Sequence, residues 1–449
     1  MAKDTPLDHR NLVLYSVYVR NHGPNGTFAD LEADLERIHS MGVDVIWLMP
    51  IHPIGKVARK GTLGSPYSIS DYRAVNPEYG SKDDLAQLLE KAHNMGMRVI
   101  IDVVYNHTAH DSVLLADHPD WYHQNEQGQP VTTVPAWSDI IDLNYPNREM
   151  EEYLIDTLVD WVKFGVDGFR CDVASLIPIE FWLRARERVA QVNQDAIWLA
   201  ESTHAGFIGG RRDVGLRAYS DCEVLHAFDM GYDYDIWPIW QAAVTGQVPA
   251  ARYLEMVRMQ NSIYPTNWVK MRCVENHDQA RIIALAPSRQ QALAWTAFQA
   301  FNKGPFMIYG GQESALQHTP SLFADDKVEW GSYELQPFLT ALARLKKETA
   351  MREGVFTVSA SEPAVVAAWE SKEHCLLGIF NVDAAPGVVN IPLPDGEYQD
   401  LLSGNFVQVT YGQAPIPESA AIFAYNRPVN PRWFYSLLFD LHIPSDSAG

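Results

Sequence analysis

Short apolar runs recur through the first two thirds of the chain: residues 13–19 (VLYSVYV), 43–49 (VDVIWLM), 99–104 (VIIDVV), 168–173 (GFRCDV), 197–201 (IWLAE), 224–229 (VLHAFD), 270–274 (KMRCV) and 306–309 (FMIY). Brief β-branched runs of this kind predict strands buried on both faces. Most are preceded by longer segments of helical period, and strand alternating with helix predicts a parallel sheet with crossover helices. Two joints repeat: HSMG at 39–42 precedes one run and HNMG at 93–96 the next. Both helices are predicted to open on a capping box, Thr27-x-x-Asp30 and Ser81-x-x-Asp84, and to stop at a glycine suited to the left-handed conformation.

Eight such strands before residue 310 predict closure into a (β/α)8 TIM barrel, a unit of roughly 250 residues whose active site lies at the C-terminal ends of its strands. A doubly wound open sheet would want a phosphate-binding glycine loop after the first strand, and residues 20–26 (RNHGPNG) make a poor one. Residues 108–144 carry no clear helical period and are rich in Asp, His, Gln, Pro and Trp, so they are expected to form a lid excursion after strand three. Beyond Glu353 the pattern changes to alternating segments at 365–369, 376–382 and 388–393, broken by Pro-Gly, Asp-Gly and Ser-Gly turns, which predicts antiparallel strands. The expected organisation is a catalytic barrel at 1–107 and 145–351, a short lid subdomain at 108–144, a C-terminal antiparallel β-sandwich domain at 352–426, and a tail at 427–449 whose Trp433, Phe434 and Tyr435 receive no role.

Composition narrows the function. The formal charge of −21 argues against nucleic-acid binding and for a neutral or cationic ligand. No apolar run approaches the roughly 20 residues that span a bilayer. Residues 1–11 lack the basic and apolar regions of a secretory signal, so a cytoplasmic location without membrane association is expected. The four cysteines form no CxxC pair and no HExxH occurs, which predicts reduced thiols and no zinc site.

The chemistry concentrates at strand ends. Asp172, Glu201 and Asp278 follow the fourth, fifth and seventh runs, which places three carboxylates at one barrel mouth. Breaking a glycosidic bond takes one carboxylate and one protonated carboxyl flanking the bond. Arg170 and Asp172, two apart on a strand, share a face, and the guanidinium is expected to hold Asp172 ionised with a lowered pKa. Glu201 closes an apolar strand whose desolvating neighbours should raise its pKa toward that of a working acid. Asp102, inside a β-branched run, requires a cation such as Arg170. His107 and His277 are candidate partners for sugar hydroxyls. For each residue alone a structural role is at least as common as a catalytic one, and only convergence on one mouth favours chemistry.

Residues 102–107 (DVVYNH), 168–172 (GFRCD), Ala200-Glu201 and Asn276-His277-Asp278 resemble the four sequence regions of the α-amylase family of glycoside hydrolases. Further similarity lies in residues 67–72 (YSISDY), 142–144 (DLN) and 309–313 (YGGQE), and together these segments extend the likeness over about residues 12–426. The resemblance implies a retaining mechanism with Asp172 as nucleophile, Glu201 as general acid and then base, and Asp278 acting on the sugar hydroxyls. It also implies Tyr67 as a ring-stacking platform, with Asp102, Arg170, His107, His277 and Arg281 as the substrate-binding set and an α-linked glucose oligosaccharide as the partner.

The chain departs from the family where many α-amylases carry a Lys-His pair after the nucleophile, since Ser175 and Leu176 stand there. Val173 occurs in both α-1,6-acting and neopullulanase-like members. Asn106 matches a calcium position of many α-amylases, but the lid shows no acidic cluster to complete six to eight oxygen ligands, so no cofactor is expected to be required and no metal ligand is assigned. The leading expectation is a hydrolase of α-1,4 bonds in malto-oligosaccharides or dextrins. An α-1,6-glucosidase or transglycosylase is the alternative, and a non-catalytic sugar-binding barrel a second one. Oligomeric state is left open.

Overall fold

The computed structural model describes residues 5–265, 268–359, 363–371 and 374–426. The tail at 427–449 lies outside the described residues. By their contacts the described residues fall into two compact units, one within 1–237, 263–281 and 304–337, the other within 238–262, 282–303 and 338–449.

The first unit holds eight parallel strands: β1 (Val13–Val17), β2 (Val45–Leu48), β3 (Arg98–Val103), β4 (Gly168–Cys171), β5 (Ile197–Ala200), β6 (Met230–Tyr232), β7 (Lys270–Met271) and β8 (Phe306–Tyr309). They pair in chain order, β8 returns to β1 through Val13↔Phe306, and an Arg272↔Phe306 bridge joins the last two strands and closes the barrel. Strand residues are buried on both faces, as the unalternating apolar runs require. Gly168 shows why a glycine opens β4: at φ 153° an added Cβ would lie 2.2 Å from the Ile197 carbonyl oxygen of β5.

Both expected capping boxes form. Thr27 and Asp30 close the start of α1 (Phe28–Ser40), Ser81 and Asp84 that of α2 (Lys82–Asn94), and Gly42 and Gly96 follow at φ 87° and 80°. Between β3 and α3 (Arg148–Phe164) the lid excursion is anchored by an antiparallel pair, His107–Ala109 against Ile140–Asp142, which sets His107 opposite Asp142. Beyond β4 run α4 (Ile179–Ala190) and, after β5, α5 (Ala205–Asp213).

The sixth strand corrects the sequence reading. Residues 224–229 were expected to form it, but β6 begins at Met230. Ser220-x-x-Glu223 is itself a capping sequence: Glu223 accepts from the Ser220 N–H at 2.7 Å and starts a helical turn, Asp221–Val224, that absorbs the head of the apolar run. Phe228 is buried without belonging to a strand.

In the second unit, Val355–Ser359, Val365–Glu370, Cys375–Phe380 and Ala420–Tyr425 form an antiparallel sheet in that order, accompanied by two two-stranded ribbons. Val366, Leu377, Ile379 and Phe423 are fully buried in its core. Among the described residues, no helix is long and apolar enough to cross a membrane.

Candidate active site

Arg170 organises the mouth of the barrel. It sits on β4 with its side chain fully buried, beside Asp102 on β3 (Arg170↔Asp102 in register). Nη1 donates to Asp102 Oδ1 at 2.8 Å and to Asp172 Oδ1 at 2.8 Å, Nη2 lies 3.0 Å from Glu201 Oε2, and Nε donates to the Tyr232 hydroxyl at 3.2 Å. One planar fork therefore fixes three carboxylates, a geometry that an ammonium group cannot reproduce. The pairing expected from the Arg-x-Asp spacing is present, and so is the support expected from Asp102.

Glu201 leaves β5 with Oε2 accepting the Val173 N–H at 2.8 Å as well as facing Arg170. Val173 makes this bond by adopting φ 34°, a left-handed conformation that costs a β-branched residue about 1–3 kcal/mol. Strain directly after Asp172 thus turns a backbone donor toward the neighbouring acid.

The electrostatics separate the acids. Burial pushes the Asp172 carboxyl up to about 6, against the lowering pull of Arg170 and with added repulsion from Asp102. This corrects the expectation that the arginine would leave Asp172 below its ordinary value: desolvation outweighs the ion pair. Burial pushes Glu201 higher, to about 7, again opposed by Arg170 and assisted by the Asp172 charge. Asp278 is the most open, its side chain 44% exposed. Burial acts to raise its pKa, but His277, 3.1 Å away, holds it below the usual range. Near neutrality one carboxyl is ionised, one is poised to hold a proton, and a third carries charge.

A relay of polar groups links them. His277 Nε2 lies 2.8 Å from the Tyr67 hydroxyl, which donates to Asp102 Oδ2 at 3.1 Å, and the two rings stack at 5.5 Å between centroids. His107 is buried, Asn106 Nδ2 lies 3.2 Å from its Nδ1, and burial lowers its pKa so that it is neutral near pH 7.

A cleft of about 220 Å³ gathers Tyr67, His107, Asp172, Glu201, His277 and Asp278. That is below the roughly 300–1,000 Å³ of sites for drug-sized ligands. Asp102 and Arg170, expected to bind substrate, are fully buried and are not among the side chains that line the cleft. Arg281, expected to bind substrate, is not brought to the cleft. Its guanidinium is buried against Glu275 Oε1 at 2.6 Å and the Gly310 carbonyl at 2.8 Å, so it pins the loops after β7 and β8.

Several lining residues escaped sequence reasoning. Trp137 from the lid and Leu322 and Phe323 from the segment after β8 supply apolar walls, and Lys60 pairs with Asp139 at 2.8 Å between two loops. Tyr232 was missed because the sixth strand was placed too early. An unaccounted donor on buried Arg170 was the signal that could have found it.

A calcium ion does not fit the surroundings of Asn106. The nearby Asp142 carboxylate already accepts from the Thr133 N–H and hydroxyl, and Arg211 and Arg217 border the same cavity, so a divalent cation would meet two guanidinium groups. Among the described residues no cluster of three or more His, Cys, Asp or Glu side chains is arranged to hold a metal.

Buried carboxyls at the C-terminal ends of adjacent barrel strands are the equipment that a glycoside hydrolase requires. The chain belongs to the α-amylase family: residues 16–354 match its catalytic domain (Alpha amylase, catalytic domain) and residues 356–423 match the Bacterial Alpha amylase C-terminal domain. It is similar to an α-amylase structure from Lactobacillus plantarum, with 40% identity, a TM-score of 0.91 and coverage of 94% of this chain and 100% of that one. It is also similar to the noncanonic maltogenic α-amylase AmyB from Thermotoga neapolitana, with 32% identity, a TM-score of 0.83 and coverage of 93% and 99%. A cyclomaltodextrinase from Bacillus sp is 27% identical over 78% of this chain, which spans 64% of that protein's length.

Proposed function

We propose that the protein is a retaining hydrolase of α-1,4-glucosidic bonds in malto-oligosaccharides or dextrins. Asp172 attacks the anomeric carbon and forms a covalent glycosyl-enzyme. Glu201 first protonates the leaving oxygen and then, ionised, takes a proton from the water that releases the sugar. Asp278 and His277 hold ring hydroxyls, His107 contributes a neutral donor, and Tyr67 offers its ring face. The observation that supports this reading is the single Arg170 guanidinium contacting both the Asp172 and the Glu201 carboxyl, with burial raising Glu201 further than Asp172. The names of the Lactobacillus and Thermotoga relatives support the α-1,4 assignment.

A second reading, cleavage of α-1,6 bonds, is favoured by 25% identity to an oligo-1,6-glucosidase from Bacillus sp. (strain F5) over 69% of this chain, and Val173 directly after Asp172 is compatible with either linkage. Product analysis on maltotriose and isomaltose separates the two. Glucose and maltose from maltotriose, with isomaltose untouched, are expected, whereas cleavage of isomaltose alone would overturn the α-1,4 assignment. Products longer than the substrate at high maltose concentration would mark transfer in place of hydrolysis.

A further inference from the structure

Behind the lid pair lies a second cavity, of about 520 Å³, lined by Arg211, Arg212 and Arg217 together with His123, Thr133 and Asp142. We propose that this cavity binds a phosphate group, carried by a hexose monophosphate or free as inorganic phosphate.

The charge placement is unusual for this chain. Acidic residues outnumber basic ones by 56 to 35, so an arginine has ample opportunity to find a carboxylate. Arg212 does so, with Nη2 donating to Glu223 Oε2 at 2.7 Å. Arg211 and Arg217 do not: among the described residues, Arg211 donates to Thr133 Oγ1 at 3.2 Å and to the Arg217 carbonyl at 3.3 Å, and Arg217 reaches only the Tyr145 carbonyl, at 3.4 Å from both terminal nitrogens. Both line the cavity without an ion pair, Arg211 within electrostatic reach of the Asp142 carboxylate and Arg217 exposed to solvent. The one lining carboxylate, Asp142, is turned to its own loop by the Thr133 N–H and hydroxyl and the Thr132 hydroxyl.

A helix C-terminus explains part of this. Arg211 and Arg212 occupy the last turn of α5, where a cation is favoured. It does not explain Arg217, which lies beyond the helix and converges on the same space. His123 is half-buried beside them, and burial together with Arg217 and Arg211 lowers its pKa against the pull of Asp142, so the ring carries no charge near neutrality and can still donate one hydrogen bond. Guanidinium forks match phosphate oxygens bidentately, and the volume leaves room for a sugar beside the phosphate. The cavity also touches the active site: Asp142 pairs with His107 across the lid strands, Asn106 lines the cavity and contacts His107, and Leu176 packs in one cluster with Val173.

The test is thermal unfolding of the full chain in inorganic phosphate, glucose 1-phosphate and glucose 6-phosphate, with sodium chloride at matched ionic strength as the control. Phosphate at roughly ten times its Kd should raise Tm by about 2 °C, a rise absent in Arg217→Ala and reduced in Arg217→Lys. A Kd at least tenfold lower for a hexose phosphate than for inorganic phosphate assigns the sugar ester, and the reverse order assigns the free ion. The same rise with sodium chloride, an undiminished rise in Arg211→Ala and Arg217→Ala, or no response to any phosphate would overturn the proposal. Should Arg217→Ala fail to fold by circular dichroism, the Arg211→Gln and Arg217→Lys proteins carry the comparison.

Discussion

The pH dependence of kcat/KM tests the division of labour between Asp172 and Glu201 most directly. In the proposed mechanism the working form has Asp172 ionised and Glu201 protonated. With the two groups pushed up to about 6 and about 7, that form is most abundant midway between them, at roughly 60% of the enzyme near pH 6.5, and falls to roughly 3% two units to either side. Activity on maltotriose should therefore rise as Asp172 loses its proton, fall as Glu201 loses its own, and drop about 20-fold at each flank. Glu201→Gln removes the upper titration. It should lower kcat on maltotriose by about 10²–10⁴-fold, abolish the basic limb, and spare most of the first step on an α-glucosyl fluoride, whose leaving group needs no proton. Initial rates for both proteins from pH 4 to pH 9 supply the measurement. A basic limb that survives in Glu201→Gln, or an unmodified protein whose rate is flat from pH 5 to pH 9, would refute the assignment.

The same burial has a stability consequence. Because Glu201 in the folded protein is raised above its ordinary value, its contribution is fully present below about pH 4 and is lost as pH rises through about 7. Glu201→Gln should thus be more stable than the unmodified protein by about 1–3 kcal/mol at pH 8 and equal to it at pH 4, read by urea denaturation. Arg170→Lys should cost about 10²–10³-fold in kcat, since one ammonium cannot span Asp102, Asp172 and Glu201 at once; activity within threefold of the parent would contradict the shared-fork reading. Phe323→Ala should raise KM for maltotriose about 3–10-fold with little change in kcat if the ring forms a sugar-facing wall, and an unaltered KM would remove it from the cleft. Incubation with a strong chelator should leave Tm unchanged, because the surroundings of Asn106 present guanidinium groups; a drop of several degrees would restore calcium to the structure.

Elements whose signal is local were legible. Capping boxes at Thr27 and Ser81 and the glycines at 42 and 96 act within a few residues of one another and formed as read, and seven of the eight apolar runs carry a barrel strand. The strand-end acids were equally visible, since a barrel sends every such residue to one mouth. What the sequence hid depended on distance or competition. The run at 224–229 has strand composition, yet a capping box three residues upstream claimed its start, and the shift concealed Tyr232. Trp137, Phe323 and the Lys60–Asp139 pair come from irregular segments whose meeting no periodicity encodes. Arg281 turns away from the cleft into an ion pair with Glu275, a direction that its place three residues after Asp278 does not encode. The Asp172 shift was misjudged in sign because an ion pair can be read from spacing, while the burial that outweighs it appears only in three dimensions.

The single guanidinium beneath the site has one more implication. Four carboxyl groups, from Asp102, Asp172, Glu201 and Asp278, surround one permanently charged arginine and one histidine. Even with Glu201 protonated and His277 charged, negative groups remain in excess, inside a chain that is itself strongly acidic. A neutral glucan gains little from that field. Under the proposed mechanism, a sugar ring acquiring positive charge as its glycosidic bond stretches gains much more, so the imbalance would act on the transition state while leaving the bound substrate nearly untouched. The same field should favour sugar-shaped amines in their protonated form, making the cleft a discriminator between neutral and cationic rings of the same outline.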